Sequence, residues 1–263
     1  MSLSKVLYKQ VWDALNKKQF HLNYFPCFDA SSGSLLGAEA LLRWRHPEKG
    51  LIMPEHFLPQ IENYDVMTNI GDWVLSTASE QVNAWRKAHN SSMYISVNVS
   101  EKQLMDPYFD IRVMQILYKT GLEPDALCIE FTENINLSHI SDLHIKLHEL
   151  RKMGIRFALD DFGTNLASLE HLRDYPIDIV KIDMGFVKDI EFNPKSYAIC
   201  EAIISLCKKL GITVISEGVE NNQQMQILIE MGVDSIHGFY LAKPLNADRF
   251  EQMIRSDQLN LDF

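Results

Sequence analysis

An α/β barrel of eight strands is the fold class this sequence predicts, on three observations. Short β-rich runs alternate with segments whose apolar residues recur at helical spacing, which indicates a parallel sheet. Eight such runs fit in 263 residues, a length at which a barrel is the common way to make one domain. No Pro/Gly/Ser-rich linker or low-complexity stretch divides the chain, so residues 1–263 are expected to form a single domain.

In chain order the first candidate strand is HLNYF (21–25), followed by the longer LLGAEALLRW (35–44). The helical pattern of DWVLSTASEQVNAWRKA (72–88) then leads to MYISVNV (93–99) and ALCIEF (126–131). Between these two strands, the Met and aromatic residues of 108–118 read as core rather than as a cofactor site. The helix expected at 141–154 stops on Gly154 and precedes IRFALD (155–160) and DIVKID (178–183). The helices expected at 194–211 and 221–232 also stop on glycine, and they frame TVISE (213–217) before the last strand, SIHGFY (235–240).

The formal net charge of −10 and pI of 5.4 argue against a DNA or RNA polymer, or an anionic membrane surface, as partner. Charge interrupts the N-terminal stretch too often for a signal peptide, and no apolar run reaches the roughly 18 residues of a membrane span. A cytoplasmic location, for the chain or for a larger protein containing it, is therefore expected. Cys27, Cys128, Cys200 and Cys207 lack CxxC spacing and read as small buried apolar residues in a reducing compartment.

At or near the C-terminal ends of the expected strands stand Glu39, Asn98, Glu130, Asp160 with Asp161, Lys181 with Asp183, Glu217 and His237. A barrel gathers such ends on one face, where active sites of this architecture lie. Carboxylates with an amide suit Mg2+ or Mn2+ better than zinc, and a carboxylate cage with one lysine suits two-metal phosphodiester hydrolysis. The adjacent pair in LDDFGT is open to two readings, a turn that caps the next helix or a site whose repulsion a cation relieves. Asp-Phe-Gly without a Gly-rich loop or His-Arg-Asp is no kinase signature, and no nucleophile elbow supports acyl transfer. His144 and His148, four apart on an expected helix, read as a solvated face.

GAEALLRWRHPEKGLIMPEHFLP (37–59), VNVSEKQL (97–104), IEFTE (129–133), LDDFGT (159–164), VKID (180–183), SEGVE (216–220) and GVDSIHGFYLAKPL (232–245) together resemble the EAL-domain family of cyclic di-GMP phosphodiesterases. The resemblance is collinear over about residues 10–250. It implies a TIM-like barrel with one antiparallel strand, two Mg2+ or Mn2+ ions, and hydrolysis of cyclic di-GMP to linear pGpG in a homodimer. Carried over, it assigns Glu39, Asn98, Glu130 and Asp160 to one metal, with Asp160 bridging to a second served by Asp161 and Glu217. It implies catalytic roles for Glu39, Lys181 and Glu217, with Lys181 orienting the attacking water. Substrate contacts fall to Leu41, Arg43, Asp183 and His237, with Arg43 on a phosphate. Glu133 would steady the loop at 162–169.

The chain departs from the family pattern at four places. Phe25 stands where the family has Gln. DFGTNLASL replaces a Gly-Tyr-Ser stretch with Asn165, Leu166 and Ala167, and Met184 follows Lys-Ile-Asp in place of Arg. His237 stands in place of Gln, with an imidazole that either hydrogen-bonds as Gln does or becomes cationic and competes with the metals. Every implied metal ligand is retained. These departures leave a second function open, a cyclic di-GMP receptor without turnover.

Overall fold

The structure, a computed structural model, describes residues 3–133, 135, 140, 142–164 and 168–256, so Asn165, Leu166 and Ala167 lie outside the described residues. Its strands are β1 (Phe20–Asp29), β2 (Leu35–His46), β3 (Gly50–Ile52), β4 (Tyr94–Asn98), β5 (Leu127–Thr132), β6 (Arg156–Phe162), β7 (Ile179–Ile182), β8 (Thr213–Ser216) and β9 (Ser235–Ile236). All except β3 close into a barrel in the order β1-β9-β8-β7-β6-β5-β4-β2, with β2 returning to β1.

β1 runs antiparallel to both neighbours, and the remaining barrel pairings are parallel. The cause is local. Only residues 30–34 join β1 to β2, and a parallel crossover needs about a dozen residues or more. Asp29 tightens that link by accepting the backbone N–H groups of Ser31 and Ser32 at 3.0 and 2.8 Å.

Two strand expectations need correction. β2 continues past Trp44 because β3, which the sequence pattern did not indicate, pairs with Trp44, Arg45 and His46. Glu39 therefore lies inside β2, not near its end. β9 stops at Ile236, before His237, and the chain then folds onto the loop after β8. Gly238 permits this because a Cβ there would run into the Val219 backbone. Helices Leu3–Asn16, Phe109–Thr120 and Ala247–Ser256 were also not anticipated, whereas the four expected helices are present with shifted ends. Of the Met and aromatic residues of 108–118 expected in the core, Phe109 is buried and Met114, partly buried, packs against the core, whereas Tyr108 and Tyr118 are exposed, a correction to that expectation.

The apolar interior has two compartments. Between sheet and helices lies the larger, holding Trp44, Phe57, Trp85, Phe157 and Phe250. Burying each such side chain contributes on the order of 1.5–3 kcal/mol. Inside the barrel, Cys27, Tyr94, Cys128, Ala158, Ile179 and Ile215 form a separate floor. All four cysteines are buried and free, as expected. Among the described residues, no helix is long and apolar enough to cross a membrane.

Candidate active site

The floor places the site through the two-residue period of a strand, since residues i and i+2 face the same side. Two residues on from Cys128, Ala158, Ile179 and Ile215 stand Glu130, Asp160, Lys181 and Glu217. Antiparallel β1 reaches the same level two residues before Cys27, at Phe25, whose cross-strand partner on β2 is Glu39. One polar layer thus rests on one apolar layer.

Lys181 is the centre of that layer. Its side chain is 1% exposed, and Nζ lies 2.8 Å from Glu217, 2.9 Å from Glu130, 3.1 Å from Glu39 and 3.3 Å from Asp160. Desolvation pulls the ammonium pKa down, but the charges of Asp160, Glu130, Glu217 and Glu39 outweigh it and hold Lys181 protonated. Burial pushes the Glu130 and Glu217 carboxyls up; Lys181 opposes that rise, and neighbouring carboxylates add to it. Asn98 closes one side, with Nδ2 donating to Glu39 Oε1 at 2.6 Å.

Adjacent residues in a regular strand point to opposite faces, which would separate Asp160 from Asp161. The register between β6 and β7 shifts here: Leu159 pairs with Val180 and Phe162 with Ile182, so β6 carries one extra residue. Asp161 takes φ +54°, a left-handed conformation that Asp tolerates better than most residues. The bulge brings carboxylate oxygens of Asp160, Asp161 and Glu217 within 4.8 Å of one another. The adjacent acids are therefore not a helix-capping turn but a bulge at the rim of the barrel.

The other expected residues fall around this layer. Leu41 and Arg43 share the Glu39 face of β2 and line a cleft of about 850 Å3 that also reaches Asn98, Thr132 and Asp161. The Arg43 guanidinium, in a side chain largely buried, donates to the Leu42 carbonyl at 2.7 Å. Glu133 is fully buried and accepts the Gly163 N–H at 2.9 Å, just beyond the bulge. Asp183 caps the short helix Met184–Val187 through the Gly185 N–H, while its charge helps raise the Asp161 pKa. Met184 is exposed beside Gly218. His237 is buried, and burial assisted by Lys181 pulls its pKa down to about 3, which favours a neutral imidazole over the cationic alternative. His144 and His148 meet on an exposed helix face, with their Nε2 atoms 3.1 Å apart. Met53, Pro54, Glu55 and Leu58, which also line the cleft, were not singled out from the sequence. They lie on and after the segment that β3 folds back over β2, and a Gly-Leu-Ile run of three residues is too short a signal to announce it.

The donor set fits hard divalent cations. It is built of carboxylates and an amide, and it holds more negative charge than Lys181 neutralises. The Asp161 pKa reports that excess: burial, then the Asp160 and Asp183 charges, push it up to about 6. An acid raised on folding holds its proton in the folded state where the unfolded chain has lost it. Its contribution to stability is therefore most favourable at low pH and declines as pH rises from about 4 to about 6. In metal-free protein the contribution of Asp161 is expected to decline across that window. Denaturant unfolding in EDTA at stepped pH values should show stability changing less favourably with rising pH in the wild type than in Asp161→Asn. An unchanged slope in the variant would refute this assignment.

Comparison with known proteins agrees with this fold. The family model "EAL domain" matches residues 9–244. The bifunctional diguanylate cyclase/cyclic di-GMP phosphodiesterase MucR of Pseudomonas aeruginosa is 36% identical over 236 residues, 90% of this chain and 34% of the relative. The cyclic di-GMP phosphodiesterase PA2567 of the same organism is 34% identical, over 90% of this chain and 40% of its own length. The chain thus spans roughly a third of the length of these curated relatives. The solved PaMucR phosphodiesterase in complex with c-di-GMP superposes with a TM-score of 0.88 at 35% identity, covering 93% of this chain and 99% of that one. With the barrel, its one antiparallel strand and the acidic layer already in place, the match over residues 9–244 has a plain meaning: this chain belongs to the EAL domain family.

Proposed function

We propose that this chain is a single phosphodiesterase unit that hydrolyses cyclic di-GMP to linear pGpG with two divalent ions, Mg2+ or Mn2+. The observation that carries the reading is the acidic layer itself, with Asp160 and Asp161 bulged beside Glu217 and four carboxylates converging on Lys181. A protein-binding module has no need of such a costly assembly, because buried like charges oppose folding. The names of MucR, PA2567 and the c-di-GMP complex supply the substrate. Cytoplasmic action and a second copy of the chain as partner complete the proposal.

In this reading Glu39, Asn98, Glu130, Asp160, Asp161 and Glu217 would hold the two ions. When bound, the ions acidify a water and neutralise charge building on phosphorus. Lys181, fixed by Glu39 and Glu130, orients the attacking water with a permanent positive charge. Leu41 and Arg43 position the dinucleotide in the cleft, and Arg43 takes a phosphate by exchanging its bond to the Leu42 carbonyl. The water oxygen bonds to phosphorus, one P–O3′ bond breaks, and the 3′ oxygen takes a proton while the 5′ phosphate remains. Asp183 acts at a distance, through its charge on Asp161.

Incubation with cyclic di-GMP and Mg2+ or Mn2+ should yield pGpG, and Glu39→Ala should yield none. Binding without turnover under both metals would replace the enzyme reading with a receptor. The Glu133 contact permits a separate test. Glu133→Ala leaves the Gly163 N–H without its carboxylate and is expected to cost about 1.5–3 kcal/mol of unfolding free energy, with slower turnover. Unchanged stability and rate would remove Glu133 from any role in holding this segment.

A further inference from the structure

The acidic layer has one member that the metal set above does not use. His237 is 1% exposed, yet neither ring nitrogen has a hydrogen-bond partner among the described residues. A buried polar group without a partner is costly, so a neutral imidazole held this way calls for a ligand. Its Nδ1 lies 3.8 Å from Glu39 Oε2, the oxygen that also meets Lys181. One ligand atom each from Glu39, Glu217 and His237 falls within 4.8 Å of the others.

The ring is held there by the chain's other departure on this side of the barrel. Phe25, opposite Glu39 in the β1–β2 register, packs on the imidazole with ring centroids 4.8 Å apart. A phenyl group offers the imidazole no hydrogen bond, and it leaves Glu39 and Glu217 as the nearby groups that share a ligand with it. Gly238, the next residue, lies so close to the Val219 backbone that a Cβ would not fit there.

We propose that His237 supplies a nitrogen ligand to the metal centre together with Glu39 and Glu217, and so biases the site toward first-row transition ions over Mg2+. The proposal rests on the metal-dependent reading above and deepens it by naming the class of ion. An imidazole is a good donor to Mn2+, Co2+ or Zn2+, whereas Mg2+ prefers oxygen ligands in a strict octahedron. A ligating histidine donates through an unprotonated ring nitrogen, and both ring nitrogens of His237 lack a hydrogen-bond partner among the described residues.

The test uses the whole chain loaded with Mn2+ and pulsed electron paramagnetic resonance. The expected echo carries modulation from a directly coordinated imidazole 14N, which 15N-histidine labelling replaces and His237→Gln abolishes. Isothermal titration should show the Co2+ to Mg2+ affinity ratio falling about tenfold or more in His237→Gln. Metal binding with no imidazole nitrogen in the wild-type echo overturns the role of His237 alone, whatever the variant's folding. No divalent binding by the wild type overturns this proposal and the metal-dependent function together.

Discussion

Lys181→Met is expected to cost the metal-free protein about 3–5 kcal/mol at pH 8 and to bring cyclic di-GMP turnover down to the level of the Glu39→Ala control. Methionine keeps the length and apolar stem of the side chain, so the change removes little except charge. Among the described residues, Lys181 is the only cation in ion-pair contact with Glu39, Glu130, Asp160 and Glu217. Without it these acids either repel one another or take up protons, and both responses draw on folding free energy. Two conditions should restore part of the loss. Acid protonates the carboxylates, and Mn2+ supplies the missing positive charge. Guanidinium unfolding in EDTA at pH 5 and pH 8, with and without excess Mn2+, measures all three effects. A loss below about 1 kcal/mol in EDTA at pH 8 would show that water, not Lys181, neutralises the layer.

Much of this arrangement is legible in the sequence because strands report themselves by composition and position. The alternation of β-rich and helical runs places Glu130, Asp160, Lys181 and Glu217 on successive strands, and closure of the barrel brings them together. The direction of β1 is also implicit in the short Ala-Ser-Ser-Gly-Ser link, although the expectation of one antiparallel strand comes from the family resemblance and not from that link. What the sequence hides is register. The bulge that turns Asp160 and Asp161 to one side exists only in the pairing of β6 with β7, and no local pattern announces it. The same holds for β3, whose three residues become a strand only by pairing with an extended β2. The environment of His237 is hidden for a related reason. Its neighbours Phe25 and Glu39 lie about 200 residues away in the chain, so its neutrality follows from burial that only closure creates.

Asp160→Asn should separate what the site costs from what it does. The amide keeps the carboxylate's shape, and its Oδ1 can still accept the Asp161 N–H, now at 3.0 Å. The backbone bond from the Glu133 N–H to the Asp160 carbonyl is untouched. What disappears is one of the four charges around Lys181, which keeps Glu39, Glu130 and Glu217, and one negative charge beside Asp161, the second cause of its raised pKa after burial. Metal-free Asp160→Asn is therefore expected to be as stable as the wild type or more stable, with the Asp161 titration moved back toward the ordinary carboxylate range. Turnover should fall at least about 10^3-fold, because a carboxylate that would hold the ions loses its charge. Opposite signs for stability and rate are the mark of a group retained for chemistry at a cost to folding. Chemical denaturation in EDTA and a pGpG assay with Mn2+ measure the two quantities. A variant that loses stability would make Asp160 a structural residue, and one that keeps its rate within about tenfold would remove it from the centre of the reaction.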